Sequence, residues 1–123
     1  MKKTSRPRPD NPIWYGGRLF RPAKTQGTSE TTSETVFKYE QDFNLVTATY
    51  SGGEIEFGQL IGTVQPDGSL DMRYHHRNKS GELMTGICKT VPEVLPDGKL
   101  RLHESWQWTC RDRSHGTSIL EEL

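Results

Sequence analysis

Apolar and polar residues alternate one by one from Leu100 to Cys110. Leu100, Leu102, Glu104, Trp106, Trp108 and Cys110 fall on one face; Arg101, His103, Ser105, Gln107 and Thr109 fall on the other. A period of two is the mark of a half-buried strand. One member of the apolar face does not belong in a core. Glu104, in line with two Trp and two Leu, must be paired, neutralised or facing a polar cavity.

Shorter runs of the same kind fill most of the chain. A first strand begins at 17–20, with Pro22 ending it or marking an edge. Residues 25–33 hold only Thr, Ser, Gln, Gly and Glu, which makes them a loop that could cover a barrel mouth. Strands are predicted over 35–39 and 43–50, the second rich in β-branched and aromatic residues. Gly52-Gly53 suits a two-residue hairpin turn. Strands over 55–64, 70–77 and 83–91 follow, separated by Pro66-Asp67-Gly68 and Lys79-Ser80-Gly81. Pro96-Asp97-Gly98 precedes the Trp strand, and a polar loop at 111–116 leads to a last strand at 117–123.

This makes about eight strands with short connections and no helix long enough to stand alone. Consecutive hairpins form a meander, and a meander of this size closes to remove its edges. The predicted fold is all-β: a closed antiparallel up-and-down barrel, avidin-like or calycin-like in outline, with room inside for side chains or one small ligand. A β-sandwich is the alternative, but it needs longer crossovers than this chain offers.

The turns set the registers. Lys79-Ser80-Gly81 puts Tyr74 opposite Gly86 and His76 opposite Met84. Pro96-Asp97-Gly98 puts Gly86 opposite Trp108 and Cys88 opposite Trp106. Pro66-Asp67-Gly68 puts Gly58 beside His76, Leu60 beside Tyr74 and Gly62 beside Met72. The three agree on one inner face, which also takes in Thr90 and Glu104, and they seat large residues beside glycines, as a crowded lumen requires. With a turn at Gly52-Gly53, Thr49 faces Glu56 and Leu45 faces Leu60, so Val46, Ala48, Tyr50, Ile55, Phe57 and Ile61 point outward as an apolar patch. A symmetric pairing would bury such a patch, and a homodimer or tetramer through Val46, Tyr50, Ile55, Phe57 and Ile61 is expected.

Composition narrows the partners. The chain has 123 residues, enough for one domain, with Lys+Arg and Asp+Glu equal at 16 each. That balance gives no general attraction to nucleic acid or to an anionic membrane, and neither is expected as a partner. Mean hydropathy is −0.80, so the core must be small and aromatic-rich. Residues 1–16 are basic and Pro-rich and read as a disordered arm before a barrel domain at 17–123. Met1-Lys2-Lys3 is followed by no apolar run, so no signal peptide is expected and the cytoplasm is the expected location. Two cysteines out of register are expected to be free thiols.

Leu83-Met84-Thr85-Gly86-Ile87-Cys88, Met72-Arg73-Tyr74-His75 and Leu102-His103-Glu104-Ser105-Trp106-Gln107-Trp108 resemble the strand motifs of a small bacterial family grouped as avidin-like. Its members often carry the label N-acetylglutamate synthase. The resemblance runs from about residue 17 to the end and implies a barrel fold. It implies no site residue. An acyl-CoA-dependent synthase would hold a pyrophosphate at a helix N-terminus, and the sequence offers no such helix or phosphate loop.

The candidate site is the set Tyr74, His76, Glu104, Trp106 and Trp108. Each has a plain structural reading. The tryptophans can be core, Glu104 can be satisfied by an Arg or a Tyr hydroxyl, and His76 can sit on the rim. Together they can also wall a ligand site. No spacing of the four His and two Cys matches a metal motif, and neither a metal nor a cofactor is expected. Three functions remain open: a barrel that binds an unknown small molecule, a lumen enzyme with His76 and Glu104 as acid and base, and an interaction barrel with a filled lumen.

Overall fold

The computed structural model describes residues 13–123. It contains eight strands: β1 (Leu19–Gln26), β2 (Val36–Asp42), β3 (Leu45–Gly52), β4 (Ile55–Val64), β5 (Leu70–Asn78), β6 (Leu83–Val94), β7 (Leu100–Trp108) and β8 (His115–Glu122). Each pairs antiparallel with the next, and β8 returns to β1, so the sheet closes as an up-and-down barrel. No helix occurs among the described residues.

Alternation builds the wall. Along β7, Leu100, Leu102, Glu104, Trp106 and Trp108 are buried while His103, Ser105 and Gln107 are exposed. The turns use the expected chemistry. Gly68 and Gly98 take positive φ values of 90° and 87°. Asp67 and Asp97 accept the amides of Ser69 and Lys99 at 2.9 and 3.0 Å. The β2–β3 turn is different: it falls at Phe43-Asn44, with Phe43 at φ 57°. An aromatic residue there reads as a strand start, which hides the turn in the sequence. β1 also runs past Pro22, with a register irregularity between Pro22 and Lys24 where the missing N–H does no harm.

All three predicted registers hold. Tyr74 pairs with Gly86, Gly86 with Trp108, and Leu60 with Tyr74. The fourth does not. Gly52 pairs with Ile55, so the turn lies at Gly53-Glu54, and a bulge between Ile55 and Phe57 shifts the pairing by one. Leu45 therefore faces Thr63, and Tyr50 faces Gly58. The bulge lets both Ile55 and Gly58 face inward with two exposed residues between them. It also turns β3 over, so Val46, Ala48, Tyr50 and Ile55 are buried in the barrel rather than forming an outer patch. Only Phe57 and Ile61 of that group lie outside, at 51% and 55% exposure.

The two ends of the barrel are closed differently. At the end bearing the β4–β5 turn, Tyr15 is fully buried. It stacks on Tyr39 at 6.2 Å, and Tyr39 meets Phe20 edge-on at 5.0 Å. Its phenol donates to the Gly68 carbonyl at 2.6 Å and its amide donates to Gln41 Oε1 at 2.7 Å. The chain around Tyr15 is thus part of the barrel's floor, which corrects the expected arm at 13–16. The rest of that arm, 1–12, lies outside the described residues. The 27–35 loop covers the other end.

Candidate functional site

All five expected side chains, Tyr74, His76, Glu104, Trp106 and Trp108, line one lumen cavity. The strands bring them there by alternation: β5 supplies Tyr74 and His76, and β7 supplies Glu104, Trp106 and Trp108. Glycines make the space. A Cβ at Gly86 would lie 2.2 Å from the Tyr74 ring, one at Gly58 2.3 Å from Tyr50, and one at Gly116 2.5 Å from Trp106. The aromatic rings lie across these strands where no side chain stands in their way.

The cavity is narrow, with about 50 Å3 open to water centres. That is room for a few waters or a compact molecule. Its walls are rings: Trp106 and Trp108 meet edge-on at 5.9 Å, and Tyr74 meets Trp108 at 5.8 Å. Trp106 donates its indole N–H to Ser118 Oγ at 2.9 Å, which fixes the ring.

Glu104 sits deeper, level with Thr90 on β6 and Ser118 on β8. Burial pushes its carboxyl up from 4.5 to about 7; the Thr90 hydroxyl and the Cys88 thiol oppose this only in part. Thr90 donates to Oε2 at 3.2 Å. No basic side chain among the described residues hydrogen-bonds to it or forms an ion pair with it. The same burial raises the Cys88 thiol and the Tyr39, Tyr50 and Tyr74 phenols, and the nearby Glu104 charge adds to each.

His76 stands at the covered end. Its Nε2 lies 2.8 Å from Glu30 Oε1 and its Nδ1 lies 3.0 Å from the Tyr50 hydroxyl. Burial lowers its pKa, and the Glu30 contact offsets this only in part. A neutral ring that donates from Nε2 to the carboxylate and accepts at Nδ1 from Tyr50 satisfies all three groups. Glu30 Oε2 also accepts from Asn78 Nδ2 at 3.0 Å, and Trp108 Nε1 donates to Thr28 Oγ1 at 3.2 Å. The 27–35 loop is therefore pinned across the mouth by polar contacts to β5 and β7.

His76 and Glu104 share no hydrogen bond. Along β6 their partners are Met84 and Thr90, and the step from 84 to 90 is about 20 Å of strand. The carboxylate at His76 is Glu30. Sequence reasoning missed Glu30 because a polar loop has no periodicity to read. It missed Tyr50 because the β4 bulge turned β3 over. The rule that seats rings beside glycines would have found Tyr50, which faces Gly58.

The family model for avidin-like proteins matches residues 13–123. The chain belongs to the avidin-like family. No curated protein and no solved structure matches it. The matched span of this avidin-like barrel starts within the floor segment, two residues before Tyr15, and takes in all eight strands. Among its described residues, no group of three or more His, Cys, Asp or Glu is placed to hold a metal ion. Cys88 and Cys110 are both free.

Proposed function

We propose that this avidin-like barrel binds a small molecule in its lumen, held by Tyr74, His76, Glu104, Trp106 and Trp108. One observation carries the reading: a poorly satisfied buried carboxyl stands at the base of an aromatic-walled cavity. A filled core would put an apolar residue at 104, because burying a carboxyl without a strong partner is costly. The position is more useful to a ligand than to the fold. Glu30 and Tyr50 join the site as supports of His76.

An acid–base enzyme would need His76 and Glu104 to reach one substrate, but their strand partners Met84 and Thr90 stand about 20 Å apart along β6. The filled-lumen alternative draws on the small free volume. Native mass spectrometry of protein purified from its own host separates the two. A retained small-molecule mass, lost in Trp108→Ala, is expected. A ligand-free protein whose Trp106 and Trp108 fluorescence no small molecule perturbs would leave the barrel as an interaction scaffold.

A further inference from the structure

The charges lining the lumen limit what it can hold. Glu30 and Glu104 are its acidic groups, and no Lys or Arg is among its described lining residues. The groups facing Glu104 are neutral: Thr90 and Cys88 from β6, Ser118 from β8, and the phenols of Tyr15, Tyr39, Tyr50 and Tyr74. An anionic ligand would bring a second negative charge into a dry cavity with no cation to meet it, which is strongly unfavourable. A cation meets a carboxylate there and also the faces of electron-rich rings. Trp108 lies within 6 Å of both Trp106 and Tyr74 in edge-to-face pairs, so ring faces and edges both line the space above Glu104.

We propose that the lumen takes a small organic cation, a protonated amine on a compact apolar body, with the ammonium at Glu104 and Thr90 and the body against Trp106, Trp108 and Tyr74. This rests on the lumen-binding reading above and adds the chemical class. The free volume of about 50 Å3 fits an amine of only a few heavy atoms. Binding has a proton balance. The empty site holds Glu104 largely protonated below neutral pH; the bound ammonium stabilises the carboxylate, and the carboxyl proton leaves to solvent. Affinity therefore rises with pH until Glu104 is ionised in the empty barrel. Protonation of His76 at acid pH acts in the same direction, since it adds a positive charge at the mouth.

Three probes of one size test this by titration calorimetry on the full chain: ethylamine, ethanol and acetate. Ethylamine is expected to bind at least about tenfold tighter than ethanol, with acetate weakest. Its affinity should rise about tenfold between about pH 6 and about pH 8, with release of close to one proton at the lower pH, read from two buffers of different ionisation enthalpy. In Glu104→Gln the amine's advantage over the alcohol should vanish, and with it most of the pH dependence. If the alcohol or acetate binds as well as the amine, the cation class is overturned and lumen binding stands. If none of the three binds or perturbs tryptophan fluorescence, the cation class is overturned, and a retained mass in native spectra decides lumen binding by itself. The wild-type comparison decides by itself, so the outcome does not depend on the variant folding.

Discussion

Burial of Glu104 makes its ionisation costly to the fold. Its carboxyl is raised in the folded chain, so its contribution favours folding below its ordinary 4.5 and is lost as pH climbs through about 7. The span corresponds to about 3 kcal/mol. Glu104→Gln should therefore leave stability near pH 4 almost unchanged and raise it above pH 7, as chemical denaturation at the two pH values would measure. An unchanged pH profile would mean that Glu104 is not desolvated. His76 acts in the opposite window: its lowered folded pKa costs stability as pH falls below its ordinary 6.5. A second residue-scale effect is steric. Gly86→Ala sets a Cβ 2.2 Å from the Tyr74 ring and should destabilise the barrel by about 1–3 kcal/mol in thermal melts, with Tyr74 displaced into the cavity.

Among the elements, the 27–35 loop is tied to the barrel wall by polar contacts rather than by strand pairing. β1 and β2, which it joins, pair through only Leu19–Lys38 and Phe20–Phe37. Its hold on the mouth depends on Glu30, with Trp108 and Ser114 bonding Thr28. Glu30→Ala removes the carboxylate partner of His76 and one of the two acceptors of Asn78 Nδ2. Its expected result is faster amide hydrogen exchange across 27–35 with a melting temperature almost unmoved, because these contacts close a surface loop rather than support the core. Equal protection in the two proteins would show that the loop is held by other contacts. The β4 bulge is the other decisive element. One extra residue places Tyr50 over Gly58 and leaves Phe57 outside.

For the molecule as a whole, the floor matters as much as the sheet. Tyr15→Phe should cost about 1 kcal/mol through the lost bond to Gly68, and Tyr15→Ala about 3 kcal/mol or more through lost packing on Tyr39. A Tyr15→Ala protein as stable as wild type would remove this segment from the core. Assembly stays a proposal with a smaller basis, since Phe57 and Ile61 alone keep the outward places first given to six residues. Light scattering on wild type and Phe57→Glu tests it. A dimer made monomeric and still folded by the change supports pairing through β4, whereas a monomeric wild type ends the idea.

The alternation of β5, β6 and β7 and their glycine-bearing turns determined the all-β fold, the inner face and all five candidate side chains. These are local signals: a period of two, a positive φ, a ring that needs a gap beside it. The turn at Phe43, the bulge after Ile55, the burial of Tyr15 and the contact from Glu30 to His76 were decided by the closed barrel. Each depends on neighbours distant in the chain. A bulge follows from which residues must reach the core, and a loop's partner depends on where the finished barrel places its rim.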